Sequence, residues 1–178
     1  NVRQGTEDFE RTSVYGVSEA FYRDDTQKTM QGSTLEEGRF LRYIDVERQQ
    51  NVCVIGSYIA ENAFQGDPLD QEISIGGVPY KVVGVLAESG DSSEGSGDDV
   101  IYIPYARAQR MGGGFGDMYL MTSTDRDTAA TAKGIIENRL LDIYESSDAY
   151  MVMTSAEMMD AMDSMLNTLM MILILIAA

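Results

Sequence analysis

The sequence predicts an α+β domain. Short apolar runs bounded by glycine read as strands, and segments with helical spacing lie between and after them. The composition agrees, since 44% of the 178 residues are hydrophobic, which is enough for a packed core.

Taken in order, Thr6-Glu-Asp-Phe-Glu10 predicts a short helix capped by Thr6. Ser13 to Tyr22 carries β-type residues and predicts a strand, whereas Asp24 to Ser33 is polar and loop-like. Asn51-Val-Cys-Val-Ile-Gly56 has the form of an interior strand that stops at glycine. Ser57 then predicts the cap of a helix reaching Phe64, with Ile59, Ala60, Ala63 and Phe64 on one face. Gly66-Asp67-Pro68 is a turn. Glu72 to Ile75 alternates, Gly76-Gly77 suits a two-residue hairpin, and Val78 to Leu86 returns. Pro79 puts the start of that return on an edge or outside the ladder.

Glu88 to Asp99 reads as a mobile surface loop, and Val100 to Ile103 as another strand. Pro104 fits the first position of a short helix to Met111, Gly112 to Gly116 breaks it, and Met118 to Thr122 predicts a strand. Asp127 predicts the cap of a longer helix to Tyr144, in which Ala132, Ile136, Leu140 and Ile143 share a face. Tyr150 to Met153 predicts the last strand. Thr154-Ser-Ala-Glu157 is a capping box for a helix with Met158, Met162, Leu166 and Leu169 on one face, running unbroken into an apolar tail.

Charge and residue usage exclude several functions. A net charge of −16 leaves nothing to neutralise a phosphate backbone, so nucleic acid is not a partner. With no His and one Cys, the Ser-His-Asp and Cys-His arrangements and imidazole metal sites are ruled out. A single Cys reveals neither a redox compartment nor a zinc site.

The ends point to a membrane. The first residues lack a basic segment and an apolar run, and predict no signal peptide there. Leu169 to Ala178 is apolar throughout. It is shorter than the roughly 20 residues of a span, and reads as the first part of one. A buried core helix is the alternative. From Leu140 to Ala178 there is no Lys or Arg, but there are six acids: Asp142, Glu145, Asp148, Glu157, Asp160 and Asp163. Cytoplasmic flanks of spans are rich in Lys and Arg, so this flank predicts an extracytoplasmic domain.

No residue is assigned as catalytic, cofactor-binding or metal-binding. Glu88, Asp91, Glu94, Asp98 and Asp99 offer oxygen ligands, but their spacing departs from an EF-hand and a solvated loop is the expectation. Gly112 to Gly116 follows a helix and precedes a strand, the reverse of a phosphate cradle. Cys53, between valines, predicts a buried small hydrophobe. The methionines, 12 in all, concentrate from Met151 onward and suit either core and helix-pair packing or an apolar surface facing a substrate.

Several motifs in order carry a family likeness. Glu37-Gly-Arg-Phe40 is followed by Asp45, Val52-Cys-Val-Ile-Gly56, Gly66-Asp-Pro-Leu69, Ile73-Ser-Ile-Gly-Gly77, Tyr80-Lys-Val-Val-Gly-Val85 and Ile101-Tyr-Ile-Pro104. This series resembles the extracytoplasmic core domain of MacB-type ABC transporter permeases, a broad family that includes lipoprotein-releasing and FtsX-type proteins. The likeness is clearest from Leu35 to Arg110 and looser from Met118 to Leu166. One departure is Asp70-Gln71, where the family often has Gly-Lys after Pro-Leu.

The resemblance implies two lobes. A membrane-proximal βαβ-type lobe would be built from 1–44 and 117–164, with a mostly-β lobe, 45–116, inserted between and the start of a transmembrane helix at 165–178. It implies a domain outside the cytoplasm at the cell membrane, a second permease copy, and an ATPase on a separate chain or domain. No cofactor follows from it, and no active-site residue carries over. The function implied is export of a peptide, lipid or drug driven by ATP hydrolysis. The alternatives are a mechanotransmitter activating an outer partner such as a cell-wall hydrolase, a sensor of peptide antibiotics, or an unrelated secreted enzyme.

Overall fold

A computed structural model describes residues 2–5, 7–23, 26, 28–29, 32–90, 93–111, 119, 121, 123 and 125–177. The chain divides into two compact units, Asn1–Phe115 and Gly116–Ala178. The architecture is mixed α+β, as the alternation of apolar runs and helical segments predicts.

Ten strands lie in the first unit among the described residues: β1 (Val2–Gln4), β2 (Glu7–Phe9), β3 (Ser13–Val17), β4 (Tyr22–Arg23), β5 (Lys28–Thr29), β6 (Leu35–Gly38), β7 (Val52–Ile55), β8 (Glu72–Ile75), β9 (Val78–Leu86) and β10 (Val100–Pro104). Three helices accompany them: α1 (Tyr43–Glu47), α2 (Ser57–Ala63) and α3 (Tyr105–Arg110). Eight of the strands form one mixed sheet in the order β2-β1-β8-β9-β7-β10-β3, with β6 also on β9, while β4 and β5 pair separately. Strands from either side of residue 45 are therefore hydrogen-bonded into the same sheet.

β9 organises that sheet because its nine residues outreach any one neighbour. Its first half pairs antiparallel with β8 and its last residues antiparallel with β6, while β7 runs parallel along its other edge. The β8–β9 hairpin closes at Gly76 and Gly77, whose φ values of 60° and 82° are those of a primed two-residue turn. Pro79 precedes Lys81, the first residue that β7 pairs, so its missing N–H costs that ladder nothing.

Both faces of the central strands are covered, which is why they read as continuous apolar runs. Cys53, Ile55, Ile101 and Ile103 pack with Ile59, Phe64, Ile73, Ile75 and Tyr80 on one face. Val52, Val54, Val100 and Tyr102 pack with Phe40, Leu41 and Leu86 on the other. Phe21 and Phe40 close that second face around the Tyr102 ring, with centroids 5.1 and 5.9 Å away. Burial pushes the Tyr102 phenol up to about 12, with a further contribution from Tyr15.

Several expectations need correction. Residues 7–9 are a strand rather than a helix, because Phe9 is buried opposite Val2 in a hairpin with β1. The strand from Ser13 stops at Val17, and a 3-10 turn at Glu19–Phe21 carries the chain into β4. Two residues of the polar stretch after Arg23, Lys28 and Thr29, form β5. Ser57 is the first residue of α2 rather than its cap. The cap is Gly56, whose N–H still donates to Val100 O at 2.8 Å and keeps the backbone extended to that point. Pro104 ends β10 opposite Val17, so it caps α3 instead of opening it.

In the second unit, α4 (Arg126–Tyr144) is capped by Asp125, not Asp127; the Asp125 carboxylate accepts the Thr128 N–H at 2.7 Å. Ala132, Ile136 and Leu140 are half-buried and Ile143 is exposed. Tyr150 to Met153 belongs to no strand among the described residues, which corrects the strand expected there. Residues 112–118, 120 and 122 lie outside the described residues, and with them the glycine run and most of the strand expected at Met118 to Thr122. α5 (Ser155–Ala177) is continuous over 23 residues.

Cys53 offers a direct check on the sheet. Its side chain is fully buried, and burial pushes the thiol up, which suppresses the thiolate. A thiol reagent at about pH 8 is expected to label the native chain at least about 1,000-fold more slowly than the guanidinium-unfolded chain. Comparable rates would mean that β7 is not enclosed.

Candidate functional site

Each motif behind the family likeness resolves into a structural task. Arg39, next to Gly38 at the end of β6, donates its N–H to Val83 O at 2.9 Å. Its guanidinium donates to Phe40 O at 3.0 Å and to both Asp45 oxygens, at 2.5 and 3.2 Å. Asp45 is 1% exposed and also accepts the Arg42 N–H at 2.9 Å, the reciprocal bond that starts α1. Opposite, the register of β9 on β7 slips between Cys53 and Val54, which leaves Val83 as a bulge with its carbonyl turned to Arg39. This cluster locks a sheet corner.

The departure from the family pattern has a conformational meaning. Asp70 sits at φ 64°, in the left-handed region that Asp tolerates better than most residues, and its carboxylate is 2.8 Å from Lys81 Nζ.

The acidic loop is only partly what its charge suggests. Glu88 and Glu94 are exposed, and Asp91 lies outside the described residues. Asp98 and Asp99 are buried, at 4% and 0% exposure. Asp98 accepts from Ser89 N–H at 2.9 Å and Ser89 Oγ at 2.6 Å. Asp99 accepts from Thr12 Oγ1 at 2.6 Å and Gly95 N–H at 2.7 Å, and its carbonyl takes the Ser13 N–H at 3.1 Å. Asp99 ties the loop to the start of β3 and Asp98 closes the loop on Ser89, and both are buried, which corrects the reading of a wholly solvated loop. The signal was present in the sequence: two adjacent Asp immediately before a buried strand, with Ser and Thr available to donate.

Among the described residues of the first unit, depressions of about 410 and 380 Å³ are found. The larger, about 410 Å³, lies beside α2 and is lined by Glu36, Glu37 and Glu61 with Phe64 and Pro68. Its chemistry is an acidic rim over an apolar floor.

The second unit presents the least enclosed feature, α5. Thr154 and Glu157 form the expected capping box: Thr154 N–H donates to Glu157 Oε2 at 2.9 Å, and Glu157 N–H to Thr154 Oγ1 at 3.2 Å. Lys133 on α4 donates to Glu157 Oε1 at 2.5 Å, and Tyr150 Oη donates to Glu137 O at 3.0 Å, so the start of α5 is tied to α4. Hydrogen bonds from Lys133 and from the Thr154 amide hold the Glu157 carboxyl below its usual value. The tie is therefore complete at neutral pH and is lost only as pH falls through that lowered value. Beyond it, every described side chain from Glu157 to Ile172 is exposed. No helix among the described residues is long and apolar enough to cross a membrane.

The comparisons agree with the motif series. The model of the MacB-like periplasmic core domain matches residues 1–138. The chain is 34% identical over 147 residues to the pyoverdine export ATP-binding/permease protein PvdT of Pseudomonas syringae pv. syringae, covering 80% of this chain and 22% of that protein. It is 31% identical over 179 residues to the macrolide export ATP-binding/permease protein MacB of Bdellovibrio bacteriovorus, covering 94% of this chain and 26% of that protein. It thus spans about a quarter of the length of these relatives. The periplasmic region of MacB from Actinobacillus actinomycetemcomitans shares the fold at TM-score 0.70 and 19% identity, over 91% of this chain and 70% of that one. So does the extracellular domain of the noncanonic ABC-type transporter YknZ from Gram-positive bacteria, at 0.66 and 22%, over 86% and 75%. With its motifs placed along the strands and turns of the first unit's sheet and the family model matched over most of its length, the chain belongs to the MacB-like periplasmic core domain family.

Proposed function

We propose that this chain is the extracytoplasmic domain of an ABC transporter permease at the cell membrane, where α5 carries motion between the membrane and the outer domain. ATP binding and hydrolysis on a cytoplasmic domain or chain would move the transmembrane helices of a two-copy permease. The outer domain would then open or close on its cargo, a peptide, lipid or drug. No catalytic step falls to this chain in that reading.

The observation that carries it is α5 itself. Its 23 residues contain no Gly or Pro and extend roughly 35 Å at helical rise. The start is capped and tied to α4, and the described side chains beyond it are exposed. A helix so held at one end transmits displacement instead of absorbing it. The relatives named as export ATP-binding/permease proteins support the coupling partner. The net charge of −16 and the acidic depression beside α2 favour a cationic cargo, whose capture would weaken as salt rises.

The test is made in the full-length transporter. A Gly-Gly insertion after Asn167 softens α5, and an Ala-Ala insertion at the same point shifts the helix equally while keeping it stiff. Export is expected to fall about tenfold further with Gly-Gly than with Ala-Ala, while ATP hydrolysis persists in both. Export unchanged by Gly-Gly would sink the proposal. Loss of an outer partner's activation, with no cargo moved by the parent, would replace it with the mechanotransmitter reading.

A further inference from the structure

We infer that the first two turns of α5 bind a soft monovalent metal ion, Cu(I) or its analogue Ag(I), through the thioethers of Met158, Met159 and Met162. The inference does not depend on the export reading.

The spacing is the first reason. Residues three and four apart on a helix have Cβ atoms about 5–6 Å from each other, and a long side chain leans over the turn N-terminal to its own Cα. Met162 stands four residues after Met158 and three after Met159, so its side chain leans toward the turn bearing the other two, and Met165, 64% exposed, follows three residues further on. Three unbranched, adaptable arms are thus gathered on one patch.

Exposure is the second. Met158, Met159 and Met162 are 61%, 65% and 62% exposed, which is not the state of methionines recruited to fill a core. Thioether sulfur is a soft donor, suited to Cu(I) and poorly suited to magnesium or calcium.

Charge and the lack of rivals complete the case. Asp160 and Asp163 flank the patch, and no Lys or Arg occurs from Leu140 onward, so the local field draws a cation. Lys133, the cation bonded to this end of α5, is engaged by Glu157 and Glu137. The chain has no His, and its one thiol is buried and held protonated. A soft ion that binds here therefore has exposed thioethers to choose from and no stronger soft ligand to divert it.

The molecule supplies its own control. Met170 and Met171 are 59% and 72% exposed, but neither has another Met three or four residues away. The experiment titrates Ag(I), in chloride-free buffer with a competing chelator, into the 178-residue chain and two variants. One carries Met158→Leu, Met159→Leu and Met162→Leu, and the other Met170→Leu and Met171→Leu. Leu matches Met in volume and helix propensity, so the fold is kept and is verified by circular dichroism. The native chain is expected to take up Ag(I) with one-to-one stoichiometry. Since outer-shell partners alone are worth roughly 10–100-fold in metal affinity, losing the ligands is expected to cost at least about 100-fold. The Met170/Met171 variant is expected to bind as the native chain does. Methyl-labelled methionine NMR is expected to show Met158, Met159 and Met162 shifting together. Equal affinity in the triple variant, equal shifts at Met170 and Met171, or no withdrawal of Ag(I) from the chelator would overturn the assignment.

Discussion

Replacing Gly84 with alanine is expected to destabilise the first unit by about 3 kcal/mol, at the upper end of the range for overpacking. Gly84 is buried between two partners, opposite Gly38 of β6 and Val54 of β7. A Cβ there would come within 2.3 Å of Arg39 O and 3.0 Å of Arg39 C, both backbone atoms. A flexible side chain would swing aside, but Arg39 is held at both ends: its N–H is bonded to Val83 O and its guanidinium to Asp45. The added methyl must push apart two paired strands or break one of those anchors. For a chain of this size the expected loss corresponds to about 6–12 °C in Tm. Gly97→Ala is the matched control, since nothing lies within 4 Å of a Cβ built there, and it is expected to change stability by less than about 1 kcal/mol. Urea denaturation of the three proteins decides the matter, and indistinguishable midpoints for Gly84→Ala and Gly97→Ala would show that the β6–β9 corner is loose.

What the sequence made legible follows from the range of each signal. The β8–β9 hairpin and β7 were readable because the information is local, in an alternating run, a Gly-Gly turn and an apolar stretch ended by Gly56. The capping box at Thr154 and Glu157 was readable for the same reason. The pairing that brings β3 beside β10, or β1 beside β8, depends on contacts distant in sequence, and no local pattern announces it. Residues 7–9 show how a local signal misleads. Thr6 with two following acids looks like a helix start, yet Phe9 gains more by turning into the core opposite Val2. Asp98 and Asp99 mislead in the other direction, because acids counted in a glycine- and serine-rich loop look solvated until their donors, Ser89 and Thr12, are placed. Sequence reasoning also passed over the triad at 158, 159 and 162. It grouped methionines by the face repeating every four residues, which separates Met159 from its neighbours.

Asp70 adds a point about reading motifs. A residue at φ 64° after Pro-Leu explains why glycine suits this position, so the substitution alters a turn without altering the fold. Motif residues and site residues are different sets in this chain. The likeness rests on positions where backbone crosses backbone, whereas the exposed chemistry lies on α5, beyond the most alike segment.

Asp45→Ala is expected to cost about 3 kcal/mol, and the reason lies in what it leaves behind. The wild-type carboxylate is enclosed and accepts three hydrogen bonds, two from Arg39 and one from the Arg42 N–H that opens α1. Alanine strands a guanidinium and an amide together. Breaking a buried pair costs about 3–5 kcal/mol, and the lower end applies because the Arg39 side chain keeps 31% of its surface in water. Asp45→Asn retains an acceptor for the amide and is expected to cost roughly half as much. The two effects at this corner are also coupled. Without Asp45 the Arg39 segment is free to retreat from residue 84, so the double variant Asp45→Ala/Gly84→Ala is expected to lose about 1 kcal/mol less than the sum of the single losses. Strict additivity would mean that Arg39 is not the shared element. Because the role is structural, on the proposed export reading the full-length protein carrying Asp45→Ala is expected to keep its export per folded molecule at low temperature and to lose it in step with unfolding on warming. Export abolished while the domain remains folded would instead give Asp45 a direct part in transport.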